Sequence, residues 1–333
     1  MADTIPPLRY LVGAEVVACM PALLERLRLA ERTLVGLVSG AELPPKIGVH
    51  PRPGGSFVHA MPAYLPGSSP DGSADLAGMK WIAGFPDNPA AGLPALHAII
   101  VVNDPRTGVP LAILDGAPIT AERTAAVSGT AIARWAPPRP GRAARAAIVG
   151  AGVQGRAHLP VLGHLLPGVA VAIHDRDGAR AAALAESASG TQGIGIARAV
   201  ADPRDAVRDA DVVVTCVSFG PVRQVMTGDW FAPDALVVAV DYAMSVAADV
   251  ARDAALFLVD EEGQFRANRD AGLFDGYPDP AGPLGTAIRD AWPRPTAGRI
   301  VVTHLGVGLA DLLFADAILS AATKLGFGTL LSR

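Results

Sequence analysis

Hydrophobic and polar positions follow two different rhythms along the 333 residues of the chain. Up to about residue 135, alternating segments such as SFVHAMPAYL and GMKWIAGF are typical of strands. LHAIIVVND and GVPLAILDG flank a DPRTG turn, as in a hairpin. Helical spacing of apolar positions predicts one helix over residues 15–30 and another that starts at Thr120 as its N-cap. Prolines at positions 137, 138 and 140 end this second helix.

After residue 144 the pattern changes to short apolar runs separated by stretches with helical spacing. The runs have the length of strands, as in AAIV, VAVAIHD, GIGIARAV, DVVVTCVS, ALVVAVD, LFLVDE and RIVVTHLG. Such a βαβ series predicts an α/β fold with a Rossmann-type, doubly wound parallel sheet. The last helix, LADLLFADAILSAATKL, is expected to fold back onto the N-terminal part. We therefore expect a second, α+β domain built from both chain ends (1–124 plus 309–333) and a Rossmann domain over 125–308.

Composition argues against several classes of protein. The chain is 50% hydrophobic with a net charge of −4 and no basic stripe, so a nucleic-acid partner is not expected. No apolar run approaches the roughly 20 residues needed to span a bilayer, and MADTIPPLRY lacks the features of a secretory signal. Cys19 and Cys216 stand in apolar runs without C-x-x-C spacing, and the histidines show no metal-ligand spacing. We expect a cytoplasmic protein with no membrane segment, disulfide or metal site, and we expect the arginines between 134 and 145 to be solvated linker.

The strongest local motif is GAGVQG at residues 150–155, which follows the strand AAIV and opens a helix. Gly150 allows the tight turn, Gly152 lets backbone amides approach a pyrophosphate, and Gly155 allows close packing of helix on strand. Val153 and Gln154 complete the first helical turn, whose unpaired amides and partial positive charge suit phosphates. The motif predicts a dinucleotide site.

The residues that follow the next strand bear on which dinucleotide binds. Asp175 lies about 20 residues beyond the glycine turn, where a carboxylate binds the adenosine 2′-hydroxyl of NAD. Arg176 beside it is able to accommodate the 2′-phosphate of NADP, which Asp175 would repel. We expect NAD and leave NADP open as the alternative.

Several spaced segments resemble the ornithine cyclodeaminase/μ-crystallin family. They are MKWIAGFPDNPAAGLP, the hairpin ending in LAILDG, ITAERTAA, GAGVQG and the late HLGVGLAD, which together span roughly residues 45–320. The resemblance implies a nucleotide-binding domain and a second domain that binds substrate and forms a homodimer interface. Members of the family include cyclodeaminases, alanine dehydrogenase, ketimine reductases and a thyroid-hormone-binding crystallin.

By this resemblance, Lys80 and Arg123 match the basic residues that hold a substrate carboxylate, and Arg52 is a third candidate. Their chemistry agrees, because a carboxylate needs cations and arginine offers a bidentate fork. Lys80 is flanked by apolar residues, so its ammonium needs a buried partner. Ordinary structural roles remain the alternative for each of these residues.

The resemblance also identifies Asp241 as the catalytic acid, Val217 and Ser218 as the loop that touches the nicotinamide half, and Gln154 as the usual glutamine of the turn. Asp241 follows the strand ALVVAVD, and ligands of open α/β sheets bind at the carboxyl ends of their strands. A loop cap is the alternative role for Asp241.

Three positions depart from the family pattern. Ser245 stands where cyclodeaminases have a lysine, Ala95 replaces a threonine near the nicotinamide, and His304 replaces a serine. The loss of the lysine weakens the case for ornithine cyclisation. His304 is either a proton donor near neutral pH or a histidine packed in the wall of the site.

Together these features predict a nicotinamide-dependent oxidoreductase acting at the α-carbon of a small amino acid or its imine, cyclic or open. Asp241, Lys80 and His304 are the candidate catalytic groups. One alternative is a cyclodeaminase that uses NAD without net redox change. The other is a crystallin-like binding protein without turnover.

Overall fold

The structure is a computed structural model that describes residues 5–52, 55–69 and 71–333. The chain divides into two compact units: unit 1 comprises residues 1–123 and 306–333, and unit 2 comprises residues 124–305. Each unit contains one sheet within the described residues.

The elements follow in chain order. Before residue 116 they are β1 (Leu8–Leu11), α1 (Gly13–Ala18), α2 (Leu23–Leu37), β2 (Ile47–Val49), β3 (Phe57–Leu65), β4 (Leu76–Gly84), β5 (Leu96–Asn103) and β6 (Pro110–Asp115). Helix α3 (Gly116–Trp135) contains the boundary between the units. Unit 2 continues with β7 (Arg145–Val149), α4 (Val153–Leu165), β8 (Val169–His174), α5 (Gly178–Ala188), β9 (Ile194–Ala199), α6 (Pro203–Val207), β10 (Val212–Thr215), β11 (Leu236–Ala239), α7 (Ala248–Arg252), β12 (Leu256–Val259), α8 (Glu262–Asp270), β13 (Gly282–Pro283), α9 (Leu284–Arg289) and β14 (Ile300–Thr303). The chain ends with α10 (Gly308–Leu325) and β15 (Thr329–Leu331).

Unit 1 is built on a mostly antiparallel sheet in the order β15-β1-β6-β5-β4-β3-β2. Among the described strands of this sheet, only β1 and β6 pair in parallel. The predicted hairpin is present as β5 and β6, which pair in antiparallel register. Both chain ends contribute, since β1 at the start pairs with β15 at the end.

The two faces of this sheet are covered differently, and we call them the inner face and the outer face. The inner face holds the cross-strand row Met61, Lys80, Ile100 and Leu114, all buried. Helix α10 lies on it so closely that a Cβ on Gly78 would stand 2.6 Å from Leu312 Cδ1. The outer face carries the alternate positions of the same strands.

Two predictions about helices in the first half are wrong. The single helix expected over residues 15–30 is two helices, α1 and α2, because Pro21 lies where the chain would have to continue. Helix α3 begins at Gly116 rather than after Thr120. Asp115 accepts a hydrogen bond from the Ala117 amide at 3.0 Å and so occupies the capping position, while the Thr120 hydroxyl donates to the Gly116 carbonyl.

Unit 2 is an all-parallel sheet in the order β13-β12-β14-β11-β10-β7-β8-β9, which confirms the predicted doubly wound α/β fold. From β7 the chain builds outward through β8 and β9, then returns to β10 on the other side. The switch point therefore lies between β7 and β10, whose carboxyl ends meet at the same edge.

The arginine-rich stretch before β7 is not simply solvated linker. Arg139 and Arg142 form ion pairs with the buried carboxylate of Asp211 at 2.6 and 2.7 Å, and the Arg145 amide donates to the same group. The pKa of Asp211 is lowered overall, because the two guanidiniums outweigh the effect of burial, which by itself raises it. This stretch is thereby fastened to the residue that precedes β10.

No helix in residues 5–52, 55–69 and 71–333 is long and apolar enough to cross a membrane. The two cysteine thiols are free.

Candidate active site

The glycine turn of unit 2 lies at the switch point and has the shape of a phosphate cradle. Gly150 has a φ of +112°, and a Cβ there would stand 2.6 Å from the Cys216 carbonyl oxygen. A Cβ on Gly155 would collide with the Gly150 carbonyl oxygen, so only glycine lets α4 start this close to β7. Gly152 faces open space and caps α4 without a side-chain hydrogen bond. The uncapped amides that follow fit the pyrophosphate of a dinucleotide.

The carboxylate expected to face the adenosine ribose adjoins this turn. Asp175 directly follows β8, and its Oδ2 accepts a hydrogen bond from the Ala151 amide at 2.7 Å. Its Oδ1 accepts from the Asp177 amide at 2.9 Å. The Asp175 side chain is half-buried, whereas Arg176 is exposed. The turn and Asp175 therefore hold one another in place.

Asp241 is a buried carboxyl group two residues beyond the end of β11. The Thr215 hydroxyl donates to its Oδ1 at 2.9 Å, and the Val217 amide and the Ser245 hydroxyl donate to its Oδ2 at 3.1 and 2.7 Å. Burial raises the pKa of Asp241 to about 6 in spite of these three donors, each of which lowers it. Such a carboxyl group can both accept and release a proton near neutral pH.

The residue after Asp241 is held in a strained conformation. Tyr242 has a φ of +60°, a left-handed conformation that costs a bulky residue about 1 kcal/mol or more. Its ring contacts Phe219 edge-on at 5.2 Å and stacks on Phe274 at 5.9 Å, and its hydroxyl donates to the Leu305 carbonyl. These contacts keep the turn after β11 in one conformation, which fixes the direction of Asp241.

His304 takes part in a buried chain of hydrogen bonds. Ser128 Oγ is 2.8 Å from His304 Nε2 and 2.7 Å from His158 Nε2, while His158 Nδ1 is 2.7 Å from the Gln154 carbonyl oxygen. A carbonyl only accepts, so His158 must carry its proton on Nδ1. Burial lowers the pKa of His158 to about 4, which leaves its Nε2 as an acceptor for the Ser128 hydroxyl. His304 Nε2 therefore donates to Ser128, and its tautomer is assigned by the chain.

In unit 1, Lys80 and Arg123 meet at a carboxylate that sequence reasoning missed. Lys80 on β4 donates to Asp311 Oδ1 at 3.0 Å, and Arg123 Nε on α3 donates to the same oxygen at 3.1 Å. All three side chains are buried. Burial lowers the pKa of Lys80 to about 7, Asp311 raises it and Arg123 lowers it.

The arrangement leaves one end of the Arg123 guanidinium outside the ion pair. Within the described part of the chain, Nε is the guanidinium nitrogen that donates a hydrogen bond to Asp311. A Cβ on Gly306 would stand 2.5 Å from Nη1, so a glycine at this position leaves space for the guanidinium group. Two cations and one acid give this cluster a net positive charge, which suits an anionic ligand.

Arg52 does not join this cluster. It is exposed beyond β2, where its backbone amide and carbonyl both bond to the Ser56 hydroxyl at 2.8 and 2.7 Å. Among residues 5–52, 55–69 and 71–333, the cations that pair with Asp311 are Lys80 and Arg123, and Arg52 is not one of them. Lys46 is the cation from this region whose field lowers the pKa of Lys80.

The remaining candidates lie in unit 2. Val217 and Ser218 follow β10 after Cys216, at the switch point, and the Val217 amide donates a hydrogen bond to Asp241. Val153 on the first turn of α4 is 70% exposed, and Gln154 beside it accepts from His158 through its carbonyl.

A glycine turn at a topological switch point, beside a carboxylate on the next strand, marks the dinucleotide-binding class of α/β folds. The model of the ornithine cyclodeaminase/mu-crystallin family matches residues 12–275, and the chain belongs to this family.

The chain is similar to several known proteins over most of its length. Nodulation efficiency protein NfeD of Rhizobium meliloti is 33% identical over 98% of this chain and 99% of its own. Ketimine reductase mu-crystallin of Mus musculus is 27% identical over 79% of each chain. The solved structure of Thermococcus litoralis Delta(1)-pyrroline-2-carboxylate reductase, in complex with NADH and L-proline, has a TM-score of 0.83 and 24% identity over 97% of this chain and 99% of that one. This last likeness shows that the fold is shared.

The buried histidine chain predicts a pH dependence of stability. His158 has a pKa of about 4 in the folded state, below the ordinary value of 6.5. The unfolded chain therefore binds a proton that the folded chain does not, and stability is lost as pH falls below about 6.5. Between pH 7.5 and 5 this residue should lower the free energy of unfolding by roughly 2 kcal/mol, measured by urea denaturation.

In His158→Gln, the free energy of unfolding should change less between pH 7.5 and 5 than in the wild-type chain. His164→Gln is the matched control, because His164 is exposed on the same helix. An unchanged slope in His158→Gln would show that His158 is not the group responsible.

Proposed function

We propose that this chain is a nicotinamide-dependent enzyme that transfers a hydride to or from the α-carbon of an amino acid or its imine. The observation that carries the proposal is Asp241, a buried carboxyl group with a pKa near 6 at the carboxyl edge of a doubly wound sheet. Lys80 and Arg123 are the candidate groups for the substrate carboxylate, and the glycine turn and Asp241 are the candidate groups for the cofactor and for proton transfer.

In this proposal the glycine turn and the start of α4 hold the pyrophosphate of NAD. Asp175 binds the 2′-hydroxyl of the adenosine ribose, and Val217 and Ser218 contact the nicotinamide half. A bound nicotinamide supplies the two-electron donor or acceptor that the protein's own side chains lack. The related Thermococcus reductase was solved with NADH, which agrees with this assignment.

Lys80 and Arg123 hold the substrate carboxylate, and Asp311 fixes both. A shared carboxylate oxygen restricts the rotamers of two long side chains before substrate arrives, so less conformational entropy is lost on binding. Arg123 contributes its remaining guanidinium nitrogens as donors. Lys80 contributes charge as long as it stays protonated, which its pKa of about 7 limits to neutral and lower pH.

Asp241 moves the proton that accompanies each hydride transfer. In the oxidative direction it accepts the proton that the substrate ammonium must lose. In the reductive direction it donates a proton to the imine nitrogen. The hydroxyls of Thr215 and Ser245 are able to rotate and follow the change in charge on Asp241.

A test of the proposal is an activity screen with amino acids and cyclic imines, using NAD(H) and NADP(H). Steady formation of reduced cofactor from an amino acid, or its consumption with an imine, supports the proposal. Ammonia release without reduced cofactor would indicate a cyclodeaminase. Tight nucleotide binding without any turnover would indicate a binding protein.

The pKa of Asp241 predicts that the rates of oxidation and reduction depend on pH in opposite ways. Oxidation should slow below pH about 6, where Asp241 is protonated, and reduction should slow above it, where Asp241 is ionised. Asp241→Asn should lower kcat roughly 100- to 10,000-fold and remove both limbs.

Asp253→Asn is the matched control for this variant, since Asp253 is exposed beyond α7. Steady-state rates across pH are the measurement. If Asp241→Asn keeps the wild-type rate in both directions, Asp241 has no role in proton transfer.

Asp175 predicts a preference for NAD over NADP. Asp175→Ser removes the negative charge beside Arg176 and should raise the NADP-to-NAD ratio of kcat/KM by about tenfold or more, because like charges repel. Asp209→Ser, at an exposed position of the same unit, is the control. A ratio that does not move would place the adenosine ribose elsewhere.

We also propose that the outer face of the unit 1 sheet is the surface of a homodimer. Trp81 and Ile99 are cross-strand neighbours there and are 45% and 39% exposed. Tyr10, Ile47 and Val49 add further exposed apolar area from other strands of the same sheet. Several exposed apolar side chains on one face of a sheet are typical of an interface, and a second copy of the chain is the occupant that family membership favours.

Ile99→Glu should give a monomer in size-exclusion chromatography with light scattering, because it places a charge at the centre of this face. Ile196→Glu, at a 64% exposed position of unit 2, makes the same change and should leave the wild-type mass. A dimer that persists in Ile99→Glu would move the interface elsewhere.

A further inference from the structure

Hydrogen bonds join two loops at the carboxyl edge of the unit 2 sheet. We call residues 217–226, after β10, the first loop, and residues 242–248, after β11, the second loop. The Met226 amide donates to the Ser245 carbonyl at 2.8 Å, and the Ala247 amide donates to the Met226 carbonyl at 3.0 Å. Met226 thus forms an isolated parallel bridge with the second loop. The bridge holds the two loops in one register.

Gln224 contributes a side chain that ties the same loops together. Its Oε1 accepts a hydrogen bond from the Ala248 amide at 2.8 Å, and its Nε2 donates to the Asp275 carbonyl at 2.8 Å. Asp275 lies in a third loop, between α8 and β13. The backbone amide of Gln224 lies 3.1 Å from the carbonyl oxygens of both Ala243 and Met244. A carboxamide suits this position, because it donates and accepts at the same time.

The backbone of Gln224 is held in an unfavourable conformation. Its φ is +55°, in the left-handed region that residues with a Cβ rarely adopt. Tyr242, at the start of the second loop, has a φ of +60°. Such conformations persist where surrounding contacts over-determine them, and they concentrate at functional sites. The hydrogen bonds of Gln224 supply such contacts.

Both loops contribute hydrogen-bond donors to Asp241. The Val217 amide belongs to the first loop, and the Ser245 hydroxyl belongs to the second. Ser245 also accepts the Met226 hydrogen bond through its carbonyl. A shift of one loop against the other would therefore change the distance between two donors of Asp241. The same shift would move Val217 and Ser218, which the proposed function assigns to the nicotinamide half.

We propose that Gln224 is a positioning residue, which keeps the nicotinamide-contacting first loop and the second loop after Asp241 in one mutual arrangement. This inference rests on the proposed function, because it assigns a role within the same hydride-transfer site. Gln224 acts through the Ala248 amide and the Asp275 carbonyl. Its effect reaches Asp241 through the donors that the two loops provide.

The first measurement is hydrogen exchange of the full chain, followed by mass spectrometry of peptides from the two loops. Gln224→Met keeps the approximate length of the side chain and removes its donor and its acceptor. We expect exchange in both loops to be about tenfold faster or more, the effect of a lost hydrogen bond on local opening. Gln192→Met makes the same change at an exposed position of unit 2 and should keep the wild-type rates.

The second measurement is steady-state kinetics with the nicotinamide cofactor and the best substrate of the activity screen. Gln224→Met should raise KM for the cofactor about fivefold and lower kcat about tenfold, because the reacting groups lose their fixed geometry. KM for the substrate should stay within about twofold, since Lys80 and Arg123 hold its carboxylate. A mere loss of folded enzyme would lower the apparent kcat and leave both KM values unchanged.

A second variant removes the same hydrogen bond from its other end and keeps the Gln224 side chain. Ala248→Pro deletes the amide that donates to Gln224 Oε1. Ala248 is the first residue of α7, where proline is well tolerated, and Ala247 has the extended conformation that suits a following proline (φ −84°, ψ 157°). Ala248→Pro should also raise KM for the cofactor. Its effect and that of Gln224→Met should be less than additive in the double variant.

The outcomes separate this inference from the proposed function. Unchanged exchange in both loops of Gln224→Met overturns the coupling of the loops by Gln224. Faster exchange with unchanged kcat and KM for the cofactor overturns the positioning role and leaves hydride transfer standing. Fully additive effects of Gln224→Met and Ala248→Pro overturn the assignment to their shared hydrogen bond. Absence of turnover by the wild-type chain with every substrate overturns the proposed function, and hydrogen exchange then still decides whether Gln224 joins the loops.

Discussion

Ionised groups in a protein interior require partners, and this requirement organises both units. In unit 1 the ammonium of Lys80 and the guanidinium of Arg123 are buried together, and one oxygen of Asp311 serves both. Removing Asp311 would leave two uncompensated cations against an apolar sheet and helix. The position of α10 is thus coupled to the positions of the two cations, since Asp311 lies in its first turn.

Unit 2 meets the same requirement with dipoles instead of an opposite charge. Two hydroxyls and a backbone amide surround Asp241, and no cation is among its hydrogen-bond partners in the described residues. Hydrogen bonds favour the ionised form, but not enough to offset burial, so the group titrates near neutrality. A full ion pair, like that of Asp211 with its two arginines, lowers the pKa instead. This contrast distinguishes a carboxyl group suited to exchange a proton from one that holds structure together.

Features carried by local sequence were predictable, and features that depend on distant contacts were not. The glycine turn and Asp175 follow from spacing within one βαβ unit, and the parallel sheet follows from the rhythm of apolar runs. Lys80 stands in an apolar strand, which indicated that its ammonium needs a partner. The partner, Asp311, lies 231 positions away, and no periodicity in the sequence connects the two residues. The sequence nevertheless contains one indication of the role of Asp311, because Asp311 is one of few charged residues in an apolar helix. Family resemblance suggested Arg52, whereas strand register brings Lys46 toward Lys80, and register depends on pairing between strands.

The histidine chain of unit 2 has a direction, and the direction limits what the chain can do. Each donor in it points from His304 through Ser128 and His158 toward the Gln154 carbonyl, which has no proton to pass on. The chain therefore cannot act as a proton wire, and it works as a brace that ties the loop after β14 to the first turn of α4.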